Sequence, residues 1–142
     1  MKLIRKNQGA SLIEVLIAAL ILGTALLTLT SLQTRSLQFN QSAYLRSQAN
    51  ILAYDILDRI RINRDKATEY DLALANAAPT GTKLSEKDLK SWLDAIAVLL
   101  PDGDGSIDCD AKKCTVNIQW TEQLSSVIDE NETLIFTYSS QI

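Results

Sequence analysis

The chain has 142 residues, enough for one modest domain plus an extra element, with 46% apolar and 22% charged residues and a formal net charge of -3. It has no histidine, which removes Ser-His-Asp and Cys-His nucleophilic sites and every histidine-ligated metal site. Acidic residues gather from Glu86 onward, and Arg59, Arg61 and Arg64 share their stretch with Asp55, Asp58 and Asp65. That pattern reads as a solvated, salt-bridged face and argues against nucleic acid as a partner, because phosphate binding needs clustered Lys and Arg.

The first element runs from Gly9 to Leu32. The 23 residues after Gly9 carry a single charge, Glu14, and three positive charges precede them at Lys2, Arg5 and Lys6. As a helix this run reaches roughly 33 Å, against about 30 Å for a hydrocarbon core. The basic head stays cytoplasmic, so everything after Leu32 lies on the other side of the membrane. A cleaved secretory signal has a shorter apolar core followed by a small-x-small site, and this run continues past Leu27 without one. A plain anchor fits the length but gives no reason for Glu14, since a charge at the centre of a membrane helix costs about 2.5–3.5 kcal/mol on insertion scales.

Gly9 followed by Ala-Ser-Leu-Ile-Glu-Val-Leu resembles the prepilin signal of type IV pilins and pseudopilins. The resemblance implies that a prepilin peptidase cuts between Gly9 and Ala10, on the cytoplasmic side of the apolar run, which is then kept as the stem of the mature protein. It implies N-methylation at Ala10, although the family usually has Phe at that position. It makes Glu14 the register residue, neutralising the N-terminal amine of a neighbouring subunit in a filament. Loss of Met1–Gly9 leaves 11 basic against 17 acidic residues, a net charge of -6.

No proline occurs before Pro79, and helix formers dominate past the apolar run. Leu45, Ala49, Leu52, Ile56 and Ile60 recur at spacings of 4, 3, 4 and 4, one face of a helix. These features predict a single helix over about 10–64, roughly 80 Å long. Gly23 is its one weak point, worth about 1 kcal/mol relative to Ala. Within it, Ser-Ala-x-x-Arg-Ser-x-Ala from Ser42, then Ala-Tyr-Asp-x-x-Asp-Arg from Ala53 and Arg-x-Asn-Arg from Arg61, resembles the PilV family of minor pilins, also called type IV pilus modification proteins.

Asp65 to Lys83 is polar and aperiodic, with a short helical turn expected at Ala73–Ala78 before Pro79-Thr80-Gly81. Ser85-x-x-Asp88 opens a second helix, about 86–100, with Leu89, Trp92, Leu93, Ile96 and Leu99/Leu100 on its apolar face and Pro101 as its stop. Asp102-Gly-Asp-Gly105 reads as a turn. Beyond it the pattern alternates: Val116, Ile118 and Trp120 face the stem, with Thr115, Asn117 and Gln119 outward. Short strands are expected near Ser106–Cys109, Cys114–Thr121 and Thr133–Ser139, the last two joined by the polar run Glu122–Glu132. The fold class is α+β: a long N-terminal helix whose second half packs on an antiparallel sheet of three to four strands plus one short helix.

Cys109 and Cys114 fall in the exported part, where an even count suggests one disulfide. Asp102, Asp104, Ser106, Asp108 and Asp110 alternate at spacing two, as at the start of a calcium loop. The match fails where Ile107 replaces the required glycine and Lys113 the closing glutamate, so an acidic solvated turn is preferred, and Asp102, Asp104 and Asp108 remain the weak metal candidates. No other cofactor and no catalytic site is expected. The organisation expected is a leader at 1–9, a transmembrane or filament-core half at 10–32 and a periplasmic domain at 33–142. The PilV resemblance implies a non-enzymatic minor pilin at or near the tip of a type IV pilus. Its implied partners are other minor pilins, the major pilin, a tip adhesin, the prepilin peptidase and the inner membrane. A type II secretion pseudopilin shares these features. The alternative of another class is an uncleaved, membrane-anchored periplasmic binding domain.

Overall fold

The computed structural model describes residues 11–110, 112–123 and 131–142; Gly9 and Ala10 lie outside them. The chain divides into two units, one ending at Phe39 and the other spanning Asn40–Ile142. Helix α1, Leu12–Ile62, supplies the described part of the first unit and enters the second. It is long and apolar enough to cross a membrane. The threonine hydroxyls of its apolar part bond back to the helix: Thr24 to the Ile21 carbonyl, Thr28 to Thr24, Thr30 to Leu27 and Thr34 to Thr30, at 2.8–3.1 Å. Each hydroxyl is thereby satisfied without leaving the helix surface.

Among the described residues every buried apolar side chain lies at Leu45 or later. The expected row Leu45, Ala49, Leu52, Ile56 and Ile60 is buried, joined by Ala53 and Leu57 one position on. Two adjacent rows widen the apolar stripe beyond a narrow seam. The helix ends two residues before the expected Arg64. The Asn63 N–H is shared between the Arg59 and Ile60 carbonyls at 3.3 and 3.0 Å, and a 3-10 helix, Arg64–Tyr70, follows. A helix end tightened in this way is common, because its last carbonyls have no α-helical partners. Arg64 and Asp65 therefore sit on this segment and not on α1.

The expected helical turn at Ala73–Ala78 does not form. Leu72 instead makes an isolated antiparallel bridge with Ile107, and the chain reverses at Ala75, whose φ is 63°. Helix α2, Leu84–Leu99, begins and ends close to expectation. Its start is fixed by Glu86, whose Oε2 accepts the Lys83 N–H at 2.9 Å. Ser85 is not the cap: it is buried and donates to Glu69 Oε2 at 3.2 Å. Leu89, Trp92, Ile96 and Leu100 form its buried row, and the Trp92 indole N–H donates to the Leu52 carbonyl of α1 at 3.0 Å.

Three antiparallel strands follow in the spatial order β1-β2-β3: β1 Asp104–Cys109, β2 Lys113–Gln123 and β3 Asn131–Gln141. Strand β1 begins inside the expected turn, and Gly105 is buried. A Cβ there would collide with the Trp92 ring, a close approach of the kind glycine in a strand often marks. On β2, Cys114, Val116, Ile118 and Trp120 are buried in strict alternation. Strands β2 and β3 are longer than expected and pair from Lys113↔Gln141 to Gln123↔Asn131. Glu122, assigned to a linker, is thus a strand residue. It is 8% exposed, and its Oε1 accepts the Trp120 indole N–H at 2.8 Å.

Candidate functional site

The candidate features fall into two groups, which are described separately. The first is the N-terminal part of α1. Glu14 lies in its first turn, where a carboxylate complements the helix dipole. It is exposed, as are Leu12, Ile13, Val15, Leu16 and Ile17 around it. The apolar residues out to Leu32 remain more than half exposed, from Leu20 at 68% through Leu27 at 72%. Exposed apolar area on this scale marks a surface made for lipid or for other protein.

The second group is the domain built on the rest of α1. Cys109 and Cys114 are directly opposed in the β1–β2 register and form a disulfide. The turn between them is organised by Asp110. Its Oδ1 accepts the Lys112 and Lys113 N–H groups at 3.0 and 2.9 Å, and its own N–H donates to the Lys113 carbonyl at 2.9 Å. Those two backbone donors, helped by the Lys113 and Lys112 charges, hold the Asp110 carboxyl below its usual range. This gives Asp110 a structural role in the turn.

The weak calcium candidates are spread out by the strand. Asp104 and Asp108 stand four residues apart on β1, roughly 13 Å along it, and Asp102 lies in the preceding turn with φ 49°. Both Asp104 oxygens are occupied, Oδ2 by the Ala75 N–H at 2.7 Å and Oδ1 by the Gly105 N–H at 2.8 Å. Among the described residues no group of three or more His, Cys, Asp or Glu side chains is arranged to hold a metal ion.

A part-buried polar cluster joins α1, the 3-10 segment and α2. The Tyr70 hydroxyl donates to Asp88 Oδ2 at 2.8 Å and accepts from Asn63 Nδ2 at 3.4 Å. Arg59 bridges Asp55 at 2.9 Å and Asp88 at 3.4 Å. Burial pushes the Tyr70 phenol above its usual range; the Asn63 hydrogen bond opposes this and Asp88 reinforces it. Sequence periodicity had no access to this cluster. The Arg59–Asp55 pair was expected from the charge pattern, but nothing in the pattern pointed to Tyr70 or Asp88. Arg61, another of the three arginines expected to be salt-bridged, pairs with Asp58 at 2.6 Å and donates to Ser140 of β3 at 2.6 Å.

Neither the curated proteins nor the solved structures give a significant match to the chain. Residues 31–99 match the family model described as Tt1218-like, type IV pilin Tt1218. That segment runs from the end of the apolar run, through the buried face of α1 and the Tyr70 cluster, to the last residue of α2. Over that segment the chain is similar to the type IV pilins, and the apolar start of α1 and the antiparallel sheet lie on either side of it.

Proposed function

We propose that the protein is a minor pilin: a structural subunit of a type IV pilus, incorporated at or near the tip and helping to initiate assembly. The observation that carries this reading is the N-terminal part of α1, apolar on every side, exposed throughout and holding one carboxylate. The likeness of residues 31–99 to a type IV pilin model supports other pilus components as the class of partner. In this reading prepilin peptidase cuts between Gly9 and Ala10, freeing the stem for extraction from the inner membrane, and Ala10 is the residue open to N-methylation. The domain stands in the periplasm before assembly and outside the cell afterwards. A stem amid other stems is in a low-dielectric surrounding, where an unpaired carboxylate is costly. Pairing Glu14 with the new N-terminal amine of a neighbour removes that cost and fixes the axial register. The PilV-like run from Ser42 to Arg64 supports the minor-pilin assignment and a place beneath a tip adhesin.

Two variants test the reading. Gly9→Ala leaves a full-length, membrane-held precursor; mature-size protein in that variant would contradict processing at this site. Glu14→Leu inserts normally but is lost from sheared filaments. Undiminished incorporation would contradict the register role of Glu14, whereas absence of the parent chain itself from filaments, with parent and variant equally held in the membrane, would favour the uncleaved anchored domain. Recovery of the wild-type chain with a type II secretion apparatus and not with pili would assign it to the pseudopilins.

A further inference from the structure

The two outer edges of the sheet are not equivalent. On β1 every outward N–H is occupied. Ile107 exchanges both backbone bonds with Leu72 at 2.8 Å, the Cys109 N–H donates to Asp71 Oδ1 at 2.8 Å, and the Gly105 N–H donates to Asp104 Oδ1. Because Ile107 turns its backbone groups away from β2, antiparallel alternation fixes the rest of the sheet. Val116, opposite Ile107, bonds toward β3 and pairs there with Tyr138. The backbone groups of Thr133, Ile135, Thr137 and Ser139 therefore point to the outer edge of β3. Among the described residues no strand covers that edge.

Natural edge strands are blunted by lysine, proline, bulges or shortness. Strand β3 has 11 residues, pairs without interruption and carries no charge from Thr133 to Gln141. Its core face is also unfinished. Leu134, Phe136 and Tyr138 pack on the core yet stay partly exposed, whereas the matching row on β2 is buried. A further strand beside β3 would cover that row and bond the free edge at once.

We propose that the sheet is completed in trans: an extended, uncharged segment of a different pilin-type subunit adds a fourth strand along β3. This rests on the anchored-subunit reading above. A second copy of this chain does not fit. The sealed β1 edge prevents head-to-tail addition of one copy to the next. The α1 helix runs along β3 in the same sense, Tyr54 meeting Tyr138 and Arg61 meeting Ser140. Antiparallel pairing of two β3 strands needs a two-fold axis normal to the sheet, which would set these helix segments antiparallel, while chains anchored in one membrane enter from the same side. A single open edge thus makes this subunit a one-sided partner rather than a self-polymerising one.

The test uses the full chain in its own host, with Ile135, Thr137, Val98 or Leu22 replaced one at a time by a photo-cross-linking phenylalanine. Positions 135 and 137 lie at the free edge, Val98 is 83% exposed on α2, and Leu22 probes the apolar stem. The expected result is cross-linking from 135 and 137, not from 98, to one chain bearing a pilin stem, with the adduct mapped to an extended segment of it. Thr137→Pro removes an outward N–H and leaves the backbone ladder between β2 and β3 in place, while giving up the Thr137 hydroxyl's bond to Asn117 Oδ1. It should lower the yield at 135 at least tenfold, and Thr137→Lys should do the same should proline perturb folding. Cross-links from 22 but not from 135 or 137 would overturn the inference and leave the pilin reading standing. No cross-links from any position would remove both. Adducts only between copies of this chain would also overturn it.

Discussion

Three residues do work that their types alone would not announce. Tyr70 fastens the 3-10 segment to α2 through Asp88. Tyr70→Phe should cost about 1.5–3 kcal/mol, the range for a hydrogen bond to a charged group, read as a fall in melting temperature. Because burial raises its phenol, its contribution is full below about pH 10 and is lost as pH rises through the higher folded value. The phenylalanine variant should lose that alkaline dependence. Asp110 has the opposite sign. Its carboxyl is held low by two backbone donors, so its contribution is present above about pH 4 and fades as pH falls through the lowered value. Asp110→Asn keeps an acceptor and removes the charge, so melting curves below about pH 4 should show less acid loss than the parent. Gly105 is required by Trp92, whose ring occupies the space of a Cβ. Gly105→Ala should destabilise by about 1–3 kcal/mol through overpacking.

At the scale of elements, α1 and the β2 alternation were legible because periodicity reports burial directly. Leu45, Ala49, Leu52, Ile56 and Ile60 show the 3.6-residue period, and Val116, Ile118 and Trp120 the two-residue one. The second buried row, Ala53 and Leu57, was not legible, since adjacent apolar residues on a helix acquire meaning only once its partners are placed. The segment from Asp65 to Lys83 was opaque for another reason. A 3-10 helix kinked at Lys66 and a single bridge at Leu72 leave no repeating pattern, although Ala67, Tyr70 and Leu72 are all buried. The start of β1 hid in the second half of Asp-Gly-Asp-Gly: Asp102 lies in a turn, as the composition suggests, but Asp104 and Gly105 are strand, where Trp92 packs on Gly105. Glu122 was misplaced because a carboxylate reads as linker unless its partner, the Trp120 indole two residues back on the same face, is seen. The disulfide was legible from the cysteine pair alone. It closes a small loop, so Cys109→Ser with Cys114→Ser should cost about 2 kcal/mol in the chain-entropy treatment. That loss appears as a lower urea midpoint matching the reduced parent.

At the scale of the whole molecule, the two units differ in what their apolar residues meet. Among the described residues the buried side-chain polar atoms of the core from Leu45 onward are all hydrogen-bonded, and the Leu134, Phe136 and Tyr138 row of β3 stays partly exposed at its margin. Among the described residues none buries the apolar part of α1, which is long and apolar enough to cross a membrane; in the proposed reading its exposed side chains and Glu14 are covered by lipid or by other stems. The candidate calcium ligands add nothing to this division, since β1 spreads Asp104 and Asp108 along its length and Asp104 is already bonded on both oxygens. The central claim is that the stem is processed and assembled, and intact mass of the protein from sheared extracellular filaments of its own host tests it most directly. The account predicts a chain of Ala10–Ile142, lighter before reduction by the hydrogens lost in forming the Cys109–Cys114 bridge, with or without one added methyl on Ala10. A full-length mass found only in the membrane fraction, from cells with an active prepilin peptidase, would contradict it.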